Sequence, residues 1–359
     1  MTNYVAAYPQ LLSSAVAAIF RGIGSNESEA RLVAENLVLA NLSGHDSHGV
    51  GLVPLYLDGV RAGIVQVNQR PTLVADSGVI VTLDAGMGFG QAIGHEAMEL
   101  GISRVRDHGI CLVAIRNSHH LGRIGHWGEQ CAKAGYISTH YVNTLGLPPL
   151  VAPHGGSDAR FATNPYCAAL PGPRDQPVVL DMATSKIALG KVRVAMNKGI
   201  EVEADTLIDA NGQPTNDPQV MYQSPIGAIL PFGGHKGYGL GVIAELFAGA
   251  LTGGGTYNAC TSVTKVIHNN MLSIIFDPGK IGGSASWRDD VSHFVDWIKA
   301  SPPGPNSHGV LVAGEPERMT QAERSKNGVP IDETTWTELC ESARSVGVSS
   351  DILTASLIE

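Results

Sequence analysis

Cysteine is scarce and unpaired in this 359-residue chain: Cys111, Cys131, Cys167, Cys260 and Cys340 are odd in number, widely scattered and form no CxxC. That argues against a disulfide framework or a thiolate zinc ribbon, and points to a reducing compartment. Positive charge is also short, with 24 Lys and Arg against 33 Asp and Glu and a net charge of −9. No basic run with interleaved aromatics occurs, which argues against a nucleic-acid groove. Long apolar runs are missing too. The best candidate, Leu240 to Leu251, is interrupted by Glu245 and falls short of a bilayer span. No Lys or Arg precedes Arg21, so a signal-peptide charge region is not expected. The expectation is a soluble cytoplasmic protein with neither membrane nor nucleic-acid partners.

Glycine is the abundant residue, at 43 positions without a strict period, which reads as many tight turns rather than a fibre. The length allows two domains or one large elaborated one. Leu11, Leu12, Val16, Ile19 and Phe20 make one helical stripe ended by Gly22 and Gly24. Asn26 with Glu29 has the spacing of a capping box for a second helix that buries Val33, Leu37 and Ala40. A third short helix ends near Gly63. From about Val74, β-branched runs take over at 79–83, 110–115, 136–143, 167–171, 177–182 and 271–276. Helical segments at 91–106, 122–134, 184–197 and 237–251 separate some of them. The stretch "SPPGPNSHG" (301–309) reads as a linker, and the polar tail has helical character at 333–346. This order predicts an α+β fold divided at 1–73, 74–300 and 301–359, with the first and last parts packed together.

The chemistry-bearing residues cluster in five places. "GMGFGQAIG" (Gly86 to Gly94) sits where a dinucleotide fingerprint would, yet Gln91 and Ile93 stand where its last glycine belongs. It reads as a tight strand-to-helix turn. "RNSHHLGRIGHW" (Arg116 to Trp127) brings Asn117, His119 and His120 to a strand end ahead of a helix carrying Arg123, where ligands meet helix N-termini. His119 fits a solvent-facing helix cap equally well. Asp181 closes the apolar run "PVVL", where a carboxylate is costly unless paired. It either has a partner or caps a helix near Thr184. "PFGGHKGYGL" sets His235, Lys236 and Gly237 at a helix mouth, suited to a phosphate, or else forms a glycine turn with an exposed lysine. In "SGHDSHGVG" (Ser43 to Gly51) no i,i+4 histidine pair supports zinc and no G-x-S-x-G elbow supports a nucleophilic serine. What remains is a proton relay, with a histidine positioned by a neighbouring hydroxyl and by Asp181.

Taken together, "SGHDSHG", "NSHHLGRIG", "RFATNP", "DMATSKIALGK", "GGHKGYGL" and "GEPERMTQAERSKNGVP" resemble the malate/L-lactate dehydrogenase family of the non-Rossmann type. That family includes ureidoglycolate, sulfolactate and 2,3-diketogulonate-type enzymes and the cyclic-imine reductases. The resemblance implies a homodimer with NAD or NADP on a predominantly antiparallel sheet. It implies His48 as proton donor, Ser47 and Asp181 as its relay partners, and His120 as a second residue at the reacting group. Asn164, Met182, Ala183, Thr184, His235, Lys236, Gly237, Gly314 and Glu315 are then expected near the cofactor. One position departs from the family pattern "SHGV-x-R": Leu52 stands where the arginine belongs. Arg123 is expected to replace it as the clamp on the substrate carboxylate, with Asn117 beside it. The space beside Leu52 favours larger or aromatic 2-oxo acids over malate. The expected activity is interconversion of 2-oxo and 2-hydroxy acids. A cyclic imine-2-carboxylate reductase is the alternative within the class, and a metal-dependent hydrolase using His45, His48, His119 and His120 the alternative outside it. No metal is expected for the dehydrogenase.

Overall fold

The computed structural model describes residues 4–282, 286–305, 307 and 309–358; residues 306 and 308 of the expected linker lie outside them. Strand β1 (Tyr4–Ala7) leads into helix α1 (Pro9–Gly22), which Pro9 can open because first-turn N–H groups have no helical partner. Leu12, Val16, Ile19 and Phe20 are fully buried, whereas Leu11, about 100° round the helix from Leu12, is half exposed. Helix α2 (Glu27–Leu42) starts at Asn26, whose side chain accepts the Glu29 N–H at 2.9 Å. The expected capping box does not close. The Glu29 carboxylate accepts from Ser25 Oγ at 2.6 Å and from the Asn68 N–H at 2.9 Å, tying the start of α2 to the chain entering the sheet. Helix α3 (Val53–Arg61) then turns Tyr56 and Leu57 inward.

Strands β2 (Thr72–Asp76) and β3 (Ile80–Asp84) form a hairpin. Helix α4 (Gly90–His108), strand β4 (Ile110–His119), helix α5 (Gly125–Lys133) and strands β5 (Ile137–Leu145), β6 (Tyr166–Leu170) and β7 (Val178–Met182) follow. Helix α6 (Leu189–Lys198) precedes a small sheet of β8 (Leu207–Ile208), β9 (Pro214–Thr215) and β10 (Ala228–Ile229). Helix α7 (His235–Ala244) runs into a π-helical turn, Glu245–Ala250, before strand β11 (His268–Phe276). The large sheet has the order β2-β3-β4-β11-β5-β6-β7. Only β3 and β4 pair in parallel; the remaining pairs are antiparallel. The α+β class and the mostly antiparallel sheet therefore match expectation.

Two cores flank the future site. Helices α4 and α5 cover one sheet face over Ile93, Met98, Val113, Trp127 and Ile275. Val142 points into that core, so its neighbour Asn143 faces the other side, where its Nδ2 donates to Glu245 of the π turn at 3.3 Å. The other core joins the chain's two ends. After α8 (Trp287–Lys299) and α9 (Glu315–Asn327), strand β12 (Val329–Asp332) pairs antiparallel with β1. Helix α10 (Glu333–Ser345) and the short α11 (Asp351–Thr354) complete the chain, and Leu339 and Leu353 meet Phe20, Leu37 and Tyr56.

The sequence reading does not anticipate α8 or α9. Helix α9 buries no side chain fully and so carries no apolar stripe, and α8 leaves Phe294 and Trp297 exposed. The helix expected from 184 begins only at Leu189, because the Thr184 N–H is taken by the Thr163 carbonyl and Ser185 bridges to Pro231. No helix among the described residues is long and apolar enough to cross a membrane.

The "GMGFG" turn matters for the site. Gly86 and Met87 take φ of 53° and 59°, and α4 opens at Gly90, where a Cβ would lie 2.2 Å from the His120 carbonyl oxygen. Backbone cannot swing aside as a flexible side chain can. Gly90→Ala is expected to destabilise the fold by about 1–3 kcal/mol and displace His120. Urea denaturation measures the first effect, and a wild-type midpoint would contradict the close approach.

Candidate active site

The segment between α2 and α3 is held by contacts that leave one of its histidines free for chemistry. Asn41 grips it from both sides: its Nδ2 donates to Asp46 at 2.7 Å and its Oδ1 accepts the Val50 N–H at 2.8 Å. Arg324 of α9 binds both Asp46 oxygens, at 2.7 and 3.1 Å, and His45 Nε2 lies 3.2 Å from Glu317 of the same helix. His45 and Asp46 are thus a clasp onto the C-terminal helix. His48 faces the other way, towards the end of β4.

There the His48 and His120 rings stack with centroids 5.4 Å apart and 30° between planes. Ser47 Oγ lies 3.0 Å from His48 Nδ1, as the relay reading expected. His120 Nδ1 lies 2.7 Å from the Tyr56 hydroxyl, which also accepts a hydrogen bond from Gln91 Nε2 at 2.9 Å. With Gln91 Nε2 donating to its oxygen, the Tyr56 hydroxyl has its one proton to give to His120 Nδ1, an arrangement that would place the neutral ring's own proton on Nε2. Burial pushes His48 down to about 4, helped by the nearby His45 and Arg123, and holds His120 well below its ordinary value. Both rings are neutral at neutral pH. His119 is fully buried, edge-on to Tyr56 at 4.4 Å, with neither ring nitrogen bonded among the described residues. It is a core residue and neither a ligand nor a solvent-facing cap.

The pair opens onto a cavity of about 300 Å³, walled by Leu52, Leu147, Leu150, Leu189, Tyr222 and Tyr257 among others. Three expected residues are not on that wall. Arg123 is 3% exposed and its Nη2 is bound to Glu129 at 2.6 Å. Asp181 accepts the Gly125 N–H at 2.7 Å and has the Arg123 charge beside it, rather than bonding to His48. The partner that Asp181 finds is therefore the Gly125 N–H, with the Arg123 charge nearby, and the Ser47–His48–Asp181 relay is not assembled. Burial raises the Asp181 carboxyl, with Arg123 and the Gly125 N–H opposing. Asn117 sits at the bulge opposite Asn270 with φ 55°, its amide donating to Asp84 at 3.0 Å. Sequence reasoning missed Tyr56, Gln91, Tyr222 and Arg193. Tyr56 and Gln91 lie in the buried stripes of α3 and α4 and carried no signal apart from core packing.

Of the residues expected near a cofactor, several come together. Thr163, on the cavity wall, accepts both the N–H and the hydroxyl of Thr184 through its carbonyl, at 2.9 and 3.0 Å. The Thr184 carbonyl lies 2.7 Å from where a Gly237 Cβ would sit, so the start of α7 with His235 and Lys236 abuts the end of β7 with Met182 and Ala183. Asn164 is fully buried, its Nδ2 donating to Glu245 at 2.7 Å and its Oδ1 accepting the Thr144 N–H at 3.3 Å, so it positions backbone rather than touching a ligand. Gly314 packs by Val179 at the opposite end of β7, and Glu315 is taken up by Lys299 and the Val312 N–H. Among the described residues, no group of three or more His, Cys, Asp or Glu side chains is arranged to hold a metal ion.

Burial gives the site a pH signature. His48, His119, His126 and His140 are pushed down to about 4, 3, 4 and 3, and His120 also lies low. Their folded pKa values are depressed, so between about pH 4 and 6.5 the unfolded chain binds more protons. The stability they contribute is complete above 6.5 and lost as pH falls, by up to about 1.4 kcal/mol per pH unit for each histidine. The urea midpoint should hold from pH 8 to 7 and fall steeply from 6.5 to 5. A midpoint flat over the lower range would refute the neutral burial.

With this geometry in view, likeness to known proteins is informative. A model of the malate/L-lactate dehydrogenase family matches residues 8–340. The chain is 46% identical over 348 residues to hydroxycarboxylate dehydrogenase B of Escherichia coli strain K12, covering 96% of each. It is 40% identical over 318 residues to L-lactate dehydrogenase of Cupriavidus necator, covering 88% of this chain and 91% of that one. Its fold is similar to sulfolactate dehydrogenase from Methanocaldococcus jannaschii, with a TM-score of 0.84 and 31% identity across 96% of this chain and 98% of that one. By sequence and by fold alike, the chain belongs to the malate/L-lactate dehydrogenase family.

Proposed function

We propose that this chain interconverts a 2-oxo acid and its 2-hydroxy acid using NAD or NADP. The observation that carries the reading is the stacked, neutral His48–His120 pair at the wall of an apolar cavity, in a chain of this family. A bound nicotinamide supplies or accepts the hydride. The residues at the start of α7 fit its phosphates: Gly233 and Gly234 have φ of 53° and 62°, a Cβ at Gly239 would meet nothing within 4 Å, and Lys236 is exposed beside them. Residues 74–300 form the cofactor-binding unit in this reading, with 1–73 and 301–359 as its helical companion. From family likeness alone we take the assembly to be a cytoplasmic homodimer, at twice the 37.6 kDa chain mass by sedimentation.

The chain's own residues handle the oxygen. His120, with its proton on Nε2, donates a hydrogen bond to the substrate oxygen, where negative charge develops during reduction. His48, oriented by Ser47, takes the hydroxyl proton during oxidation and returns it during reduction. A histidine pushed down to about 4 is ready as a base in the free protein, and a bound anion beside it raises its proton affinity for the reverse step. The apolar wall around Leu52 suits larger or aromatic acids. A cyclic imine-2-carboxylate would use the same hydride and the same proton.

Loss of NADH or NADPH absorbance with a panel of 2-oxo acids and cyclic imines tests the reaction. His48→Ala is expected to lower kcat by roughly two to four orders of magnitude with the cofactor Kd unchanged. Tyr56→Phe frees the His120 tautomer and should lower kcat by about tenfold or more while leaving the cofactor Kd alone. Near-normal turnover in both variants would contradict the histidine pair.

A further inference from the structure

Every 2-oxo acid carries a carboxylate next to the reacting carbon, and a site that orients it needs a cation, best a bidentate guanidinium. At the position where the resemblance implies that cation the cavity wall carries Leu52, and Arg123 is committed to Glu129. Among the residues that line the cavity, one permanent cation is present, Arg193, and no carboxylate is. The two histidines on the same wall are neutral through burial, so Arg193 sets the sign of the field inside.

Its placement follows from α6. Leu189, Gly190 and Arg193 all line the cavity, as positions i, i+1 and i+4 of one helix face must. Gly190 seats that face on the catalytic turn: a Cβ there would lie 2.6 Å from the Ser47 Cβ. Arg193 therefore stands about one turn, roughly 5 Å of helix rise, beyond the point where α6 touches Ser47 and His48. Its guanidinium is exposed, and no hydrogen bond or ion pair engages it among the described residues. Its charge reaches the Tyr222 hydroxyl, another wall residue, and opposes the rise that burial imposes there.

We propose that Arg193 is the substrate-carboxylate clamp of this site, taking the place of the arginine missing at Leu52. The proposal rests on the 2-oxo acid reading above. The guanidinium grips the carboxylate from the α6 side while His48 and His120 meet the neighbouring oxygen, and the rest of the acid lies against the apolar wall. Arg123 has a separate task, neutralising Asp181 behind the wall.

Titration calorimetry with oxamate, an unreactive isostere of a 2-oxo acid, in the presence of saturating NADH or NADPH, tests the clamp without turnover. Arg193→Met is expected to weaken oxamate binding roughly 10- to 100-fold, the worth of hydrogen bonds to a charged group, with Arg193→Lys recovering part of it. Cofactor Kd and the unfolding midpoint should match wild type in both variants, since Arg193 is exposed and unpaired. In turnover, Arg193→Met should raise KM for the acid and leave KM for the corresponding neutral 2-oxo amide unchanged. Oxamate bound by wild type and lost in Arg193→Met upholds the clamp even if no 2-oxo acid is reduced, in which case the reaction assignment alone falls. Equal oxamate affinity in wild type and Arg193→Met, or none in either, overturns the clamp.

Discussion

One buried hydrogen bond, between the Tyr56 hydroxyl and His120 Nδ1, joins the two halves of this molecule at the candidate site. Tyr56 belongs to the core built by the two chain ends, whereas His120 closes the last sheet strand before α5 and Gln91 lies on α4, over the sheet. The bond therefore reports whether the helical part is docked on the sheet. It also decides which imidazole nitrogen faces the cavity. Breaking it would leave the two buried groups that make it, the phenol O–H and the imidazole Nδ1, without that partner, at a cost of about 1–3 kcal/mol for each group left unpaired. Docking and tautomer are one constraint.

Around that bond the site separates its charges by depth. The histidine pair is neutral and stacked at the wall, the Arg123–Glu129 pair with Asp181 lies behind it, and Arg193 stands at the accessible side. Among the residues lining the cavity, the proposed substrate anion would meet one cation and no competing carboxylate. In the proposed reaction, solvent exclusion would strengthen the interaction of the two rings with charge that develops on the substrate oxygen. The clasp of Arg324 on Asp46 holds the turn from outside the cavity, which explains why a histidine- and aspartate-rich stretch presents only one of its ionisable groups, His48, to the cavity.

Much of the sheet was legible in the sequence because β-branched runs and apolar stripes report burial directly. The strands at 110–119, 137–145 and 268–276 coincide with such runs. Helix α9 was not legible, since a helix without a fully buried face leaves no periodic trace. The site was half legible. His48, Ser47 and His120 stood out as clustered polar residues on short glycine-rich turns, and the structure brings them together. Asp181 was recognised as needing a partner and Arg123 was expected to clamp the substrate, but sequence cannot say that Glu129 and the Gly125 N–H take them up behind the cavity wall. Arg193 looks like an ordinary exposed helix residue until Gly190 is seen to press its face against Ser47. Tyr56 was indistinguishable from its aliphatic neighbours.

The account stands on His120 being neutral, protonated at Nε2 and bonded through Nδ1 to Tyr56. Nitrogen-15 NMR of the histidine side chains at neutral pH measures this directly. The expected spectrum places His120 in the Nε2–H form, with Nδ1 showing the shift of a hydrogen-bond acceptor that changes in Tyr56→Phe. An imidazolium at that position, or a proton on Nδ1, would contradict the account.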